Sequence, residues 1–196
     1  MSHLYTTSIG RLQRFLINPR GIRHVLLSKL QLEITRLNCK IHPRPKFAFE
    51  NTQLSYTQAQ YNASTFNERS LEISLARHFI SKFKNKTILE IGAVMQHYQE
   101  IKWPVVDKYE QEPNVIKVDI LDFNSKVKFD LILCISTLEH IGQDEDITQP
   151  SKPIEALKHM QKLLKPNGLI AATIPFGYNY FLDHAVTSGL IPLSSL

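Results

Sequence analysis

Between residues 86 and 140, short apolar runs end on residues able to bind a polar ligand. The first run, KTILEIG, closes on Glu90-x-Gly92. A glycine there lets the backbone approach a ligand closely, and the N-terminus of a following helix would favour the ligand's negative end. The second run carries Asp107, 17 residues after Glu90, and a carboxylate at such a strand end can accept hydrogen bonds from both hydroxyls of a ribose. The third, VIKVDIL, carries Asp119, which can accept from an adenine amino group. The fourth, FDLILCIS, passes into Ser136-Thr137-Leu138-Glu139-His140, polar groups beside the same place. His140 and Glu139 are the candidate bases for a proton-transfer step. Taken singly, each acid has a commoner role as a solvated strand end or helix cap, and His140 serves as readily in packing. Taken together they describe one pocket.

Such residues meet only if the runs are parallel strands of one sheet. Apolar runs without polar alternation, separated by helices or short connections, predict a mostly parallel sheet covered on both faces, and ligands then bind beyond the carboxyl ends of the strands. GLIAATIP supplies the fifth strand. A helix carrying Ile154, Leu157, Met160 and Leu164 starts near Pro153 and stops at Pro166-Asn-Gly168. Upstream, Thr65-Phe-Asn-Glu68 has the spacing of a capping box ahead of a helix with Leu71, Leu75, Phe79 and Phe83 on one face. Three zones result: a basic helical arm over 1–48, with Leu27, Leu30, Ile34 and Leu37 as its stripe; a polar linker over 49–67; and an α/β domain over 68–196.

Length and composition agree with one domain plus an extension, since 196 residues at 43% apolar content suffice for a single core. The net charge of +5 is concentrated in the arm, which holds nine Lys/Arg against the single acid Glu33, a net +8, and leaves −3 for the remainder. That charge and the apolar stripe fit a peripheral contact with an anionic membrane; they also fit, somewhat better, a helix packed on the domain with its cations in water. No apolar run reaches the roughly 18 residues of a bilayer span, and no secretory signal opens the sequence, so a cytoplasmic protein is expected. Cys39 and Cys134 match no metal-ligand spacing, and Cys134, inside LILCIS, is expected to be a buried structural thiol. No metal site is expected.

The order Glu90-x-Gly92, Asp107, Asp119, FDLILCISTLEH, LLKPNGLIAATIP resembles the class I S-adenosylmethionine-dependent methyltransferases, in particular those acting on small molecules, lipids or sugars. The resemblance spans about residues 65–180. It implies a Rossmann-like fold with S-adenosylmethionine as cofactor. It places Gly92 under the methionine part, Glu90 near its amino group, Asp107 at the ribose and Asp119 at the adenine edge. Ser136 to His140 would flank the methyl group and the acceptor. The chemistry would be direct displacement at the sulfonium methyl, with the protein aligning the reactants and keeping the site dry.

Two departures stand out. Gly92-Ala-Val-Met-Gln-His-Tyr replaces the family's run of further glycines, with His97 and Tyr98 as substitute contacts, and after GLIAATIP no signal for the family's last two strands follows. The sheet is therefore expected to lack them, leaving the fifth strand as an edge. A catalytically defective relative, acting as a binding or partner subunit, is the alternative. A nicotinamide enzyme is disfavoured because Gly-x-Gly-x-x-Gly is absent, and a nucleic-acid methyltransferase because Ser-Thr-Leu-Glu stands where an Asn-Pro-Pro-Tyr-like grip would follow the fourth strand. The expected acceptor is a small molecule, a lipid or a sugar.

Overall fold

The computed structural model describes residues 44–59, 61–64 and 67–191. The chain divides into two compact units, Met1–Pro45 and Lys46–Leu196. The basic arm, its apolar stripe and Cys39 lie outside the described residues, apart from its last few positions. No helix among the described residues is long and apolar enough to cross a membrane.

The second unit opens with a hairpin of β1 (Lys46–Phe49) and β2 (Thr52–Ser55), where the sequence suggests the end of the arm and a linker. The strands are antiparallel, pairing Phe49 with Thr52 around a tight turn in which Glu50 adopts φ 49°. With four residues each they are too short to show alternation against a polar background. The Glu50 carboxylate accepts from Lys82 and stands 3.3 Å from Nε2 of His78, which ties the turn to the following helix.

Five further strands form one parallel sheet: β3 (Ile88–Ile91), β4 (Val105–Val106), β5 (Val115–Ile116), β6 (Phe129–Ile135) and β7 (Leu164–Thr173). Their spatial order is β5-β4-β3-β6-β7, every neighbouring pair parallel. The chain builds outward from β3, then crosses back to lay β6 on its other side. This is the α/β, Rossmann-like architecture expected, with β7 at one edge of the described sheet.

The central strands are buried on both faces. On one, Ile88, Leu131, Leu133 and Ile135 meet Ile73, Ala76 and Phe79 of helix α1 (Arg69–Lys82). On the other, Leu89, Ile91, Ile132 and Cys134 meet Ala156, Met160 and Leu163 of α2 (Lys152–Leu163) and Leu182 of α3 (Tyr180–Thr187). Alternate side chains of β6 thus enter different cores, which is why its sequence reads as an unbroken apolar run. Cys134 is buried among them, and burial pushes its thiol well above the usual range.

The helices depart from expectation in detail. Thr65 lies outside the described residues, and Glu68, the expected capping-box partner, precedes α1 without a side-chain cap hydrogen bond. The stripe of α1 that meets the sheet is Ile73-Ala76-Phe79, while Leu71, Leu75 and Phe83 are only half-buried. Helix α2 ends at Leu163, before Pro166-Asn-Gly168. Those residues form an irregularity in β7 between the pairs Phe129–Leu164 and Leu131–Leu169, with Asn167 at φ 66°. A turn signal inside a strand and one after a helix use the same residue types.

Candidate active site

A cavity of about 470 Å³ opens at the carboxyl ends of β3, β4 and β6, where the strand order reverses. Its size falls within the range of small-molecule sites. Gly92, Asp107, Asp119, Ser136 and His140 all line it, so five of the seven expected residues converge; Glu90 and Glu139 do not reach its wall.

Gly92 follows β3 with φ +84°, a conformation open to glycine at little cost. Its amide donates to the carbonyl of Val106, and a Cβ there would stand 2.0 Å from Oγ1 of Thr137. The bare backbone is thus required by the loop after β6. The helix expected after Gly92 is absent: only a single 3-10 turn, Met95–His97, follows, so the backbone offers no helix N-terminus to an anion.

Glu90 fills the space that a helix would otherwise organise. Its Oε1 accepts from the amides of Val94 and Met95 at 2.9 and 2.7 Å, and its Oε2 from Nε1 of Trp103 at 3.0 Å. The side chain is fully buried, and burial raises its carboxyl above the ordinary value despite these donors. Glu90 therefore braces the loop under the cavity. The expected contact with a ligand amino group is replaced by three contacts within the chain.

Asp107 follows β4 directly. Its Oδ1 accepts from the amides of Tyr109 and Glu110 at 2.8 and 2.9 Å, and its Oδ2 only from Ala93 at 3.2 Å. A carboxylate oxygen has two acceptor positions, so Oδ2 retains capacity for a ligand hydroxyl. Asp119 is differently placed. β5 ends at Ile116, and Asp119 stands in the turn beyond it, accepting from the amide of Leu121 at 3.1 Å and from the ammonium groups of Lys152 and Lys108 at 2.8 and 3.2 Å. Burial pushes its carboxyl up, and the two lysines more than offset this, leaving it below the usual range. Glu145 completes the cluster through Lys152, at 2.5 and 2.7 Å, and Lys108, at 3.4 Å. Asp119 thus turns Oδ2 to cations of the chain, while Oδ1, with the Leu121 amide as its donor, retains an acceptor position as Oδ2 of Asp107 does. Nothing in the local sequence joins Lys152, at the start of α2, to Asp119.

At the end of β6 the backbone turns sharply, with Ser136 at φ 40°. The Ser136 hydroxyl donates to Oε1 of the buried Glu72 at 2.6 Å, and its amide donates to Thr173. Oε2 of Glu72 stands 3.5 Å from the Arg69 guanidinium. Glu139 is 1% exposed, and neither of its carboxylate oxygens has a hydrogen-bond partner. Burial is the main cause that pushes its carboxyl up to about 7. His140 is exposed at the cavity wall, its Nδ1 lying 2.6 Å from Oδ2 of Asp144 and its Nε2 3.6 Å from Oε1 of Glu139. Asp144 stands outside the expected set, although its spacing four residues after His140 is visible in HIGQD. His97 also lines the cavity, its ring stacked on Tyr61 at 4.0 Å, while the Tyr98 hydroxyl bonds Ser64 away from the cavity. No group of residues suited to a metal ion occurs among the described residues.

The site can bind a polyhydroxylated ligand along Gly92 and Asp107, and can accept a proton at its far wall. No family model matches the chain, and no curated protein matches it. Among solved structures it is similar to the N-methyltransferase NodS from Bradyrhizobium japonicum WM9 in complex with S-adenosyl-L-homocysteine, at 22% identity and TM-score 0.40, over 54% of this chain and 60% of that one. It is similar to the sugar N-methyltransferase KedS8 from Streptoalloteichus sp ATCC 53650, at 11% identity and TM-score 0.41, over 68% and 59%. It is also similar to SAM-bound CalS10, an amino pentose methyltransferase from Micromonospora echinaspora, at 15% identity and TM-score 0.42, over 66% and 60%. The chain spans about three fifths of the length of these three proteins.

Proposed function

We propose that this chain binds S-adenosylmethionine and transfers its methyl group to a small-molecule, lipid-linked or sugar acceptor. The observation that carries this reading is the cavity at the strand-order reversal, with the bare Gly92 backbone and the Asp107 carboxylate on one wall and His140 on the other. One ribose hydroxyl would meet Oδ2 of Asp107, and the methionine part would lie over Gly92. The adenine position is more constrained, because Lys108 and Lys152 hold Oδ2 of Asp119 and leave Oδ1 to accept from the adenine amino group. When bound, the cofactor supplies an electrophilic methyl group; the chain's own residues orient the acceptor, exclude water and take its proton.

Calorimetry with S-adenosylhomocysteine tests the reading directly. Binding is expected, and Asp107→Ala should weaken it at least about tenfold, since a charge-assisted hydrogen bond contributes roughly 1.5–3 kcal/mol. Glu112→Ala, at a residue that does not line the cavity, is the control. No binding to a folded wild-type chain would overturn the proposal, and binding of NAD alone would replace it. The engagement of Asp119 by two lysines favours a second reading, a binding or partner subunit of weakened affinity. Raising salt should then increase affinity by loosening the lysines.

A further inference from the structure

The side chains around His140 form a chain of contacts running from solvent to a buried acid. Tyr178 holds its ring 4.6 Å from that of His140, at 61°, and its hydroxyl donates to the Asp144 carboxylate at 2.8 Å. Asp144 in turn stands 2.6 Å from Nδ1 of His140. Burial raises the Asp144 carboxyl, and the hydrogen bonds from His140 and Tyr178 more than offset this, leaving it below its usual range and ionised at neutral pH. An ionised carboxylate only accepts hydrogen bonds, so Nδ1 must carry the proton of the neutral ring, and Nε2 is left with the lone pair. Nε2 lies 3.6 Å from Oε1 of Glu139, whose carboxylate has no hydrogen-bond partner of its own. A buried polar group without a partner is costly, and a proton shared between Nε2 and Glu139 would satisfy both.

We propose that Asp144 is a positioning residue for proton removal: its carboxylate fixes the proton of His140 on Nδ1, so that Nε2 takes the acceptor's proton and passes it to Glu139. The proposal rests on the methyl-transfer reading for its purpose, and on the contacts alone for its geometry. In the transfer, a bond forms between the methyl carbon and the acceptor oxygen or nitrogen, while the carbon–sulfur bond breaks with its electron pair on sulfur. The proton released by the acceptor goes to Nε2; the imidazolium is stabilised by Asp144, and Oε1 of Glu139 then receives the proton. The charged and titratable groups facing this chain are Asp144, Tyr178 and Glu139 around His140, and His140 together with Arg69 and Glu72 of α1 around Glu139. Glu72 disfavours charge on Glu139, whereas Arg69 and His140 favour it.

The test is nitrogen NMR of the histidine rings in the full unliganded chain, with His140→Gln identifying the His140 signals. The neutral ring should show a protonated Nδ1 and a bare Nε2 as the dominant tautomer. Asp144→Ala should turn that single form into a mixture, and Tyr178→Phe should leave it unchanged. A protonated Nε2 in the wild-type neutral ring would overturn the proposal, as would an unaltered tautomer in folded Asp144→Ala. Should Asp144→Ala fail to fold, the wild-type tautomer still decides. Infrared spectra of the wild type near pH 6 should contain a larger protonated-carboxyl band than those of Glu139→Gln, and equal bands would exclude Glu139 as a group that holds a proton there. These readings are independent of S-adenosylhomocysteine binding, so loss of the methyl-transfer reading and loss of the proton path are told apart.

Discussion

Gly92 and Thr137 are interlocked: the hydrogen of Gly92 occupies the one place from which a methyl group would stand 2.0 Å from Oγ1 of Thr137. Thr137 cannot easily withdraw, because its hydroxyl donates to the carbonyl of Ile135 at 3.0 Å. Two effects therefore oppose Gly92→Ala. One is the clash, and the other is the left-handed backbone, which costs a residue with a Cβ about 1–2 kcal/mol. The substitution should destabilise the chain by more than that strain alone. Thr137→Ala in the same chain should recover the part of the clash due to Oγ1 and Cγ2, and leave the strain and the 2.9 Å approach of the residue-137 Cβ. Urea unfolding of the two single variants and the double variant measures this; additivity would show that the two residues are not coupled.

Glu90→Gln should be destabilising without touching the cavity wall. The amide that replaces one oxygen presents donors to donors, either Val94 and Met95 or Trp103. A loss of about 1–3 kcal/mol is expected for a buried donor left unpaired. Trp103 is the chain's single tryptophan, so its fluorescence reports the loop directly, and an emission spectrum shifted by the substitution is expected. Unchanged stability would mean that the three hydrogen bonds to Glu90 are not what holds the 93–103 loop.

The two lysines on Asp119 should behave unequally. Lys152 is buried, and Lys152→Met would leave Asp119 and Glu145 with only the more exposed Lys108 between them, a loss of up to about 3–5 kcal/mol. Lys108 is the more exposed partner, and Lys108→Met should cost no more than about 1 kcal/mol. Acid should act in the same direction as the lysine loss. Asp119 and Glu145 both titrate below their ordinary values in the folded chain, so their contribution is present above those values and lost as pH falls through the folded ones. Thermal unfolding of the three chains between pH 3 and pH 7 checks both parts, and equal losses for the two lysines would contradict the assignment of Lys152 as the central cation.

Much of this arrangement was legible in the residues themselves. The apolar run FDLILCIS and the pair Glu90-x-Gly92 marked central parallel strands because burial on both faces leaves no polar alternation, and the sheet is as they imply. The ends of those strands located Gly92, Asp107 and His140 at the cavity, since topology alone carries strand ends to one edge. Side-chain roles were less legible. Glu90 and Asp119 are acids at the expected positions, yet each is engaged by a partner far away in sequence, Trp103 for one and Lys152 for the other. Pairing across 13 or 33 residues leaves no local spacing to read. The hairpin at 46–55 was missed because its strands are short and half-polar, and the stripe of α1 because its buried face includes Ser70, Glu72 and Ser74 among the apolar residues.

Glu139 makes the sharpest pH prediction. Its carboxyl, with an ordinary value of 4.5, is pushed up to about 7, chiefly by burial. In that window the folded chain holds a proton that the unfolded chain has released, so stability must fall as pH rises from about 4.5 to about 7. Above it, the folded state carries a buried carboxylate with no hydrogen-bond partner. Glu139→Gln removes the titration and keeps the shape. The variant should match the wild type near pH 4 and exceed it at pH 8 by roughly 1–3 kcal/mol, given 1.36 kcal/mol per unit of pKa displacement and the attenuating charges of Arg69 and His140. Glu90, also raised by burial, contributes with the same sign in both chains and cancels in the difference. Urea unfolding at closely spaced pH values measures the gap. A gap that stayed constant between pH 4 and pH 8 would show that burial does not raise Glu139, its charge being offset by the neighbouring Arg69 and His140.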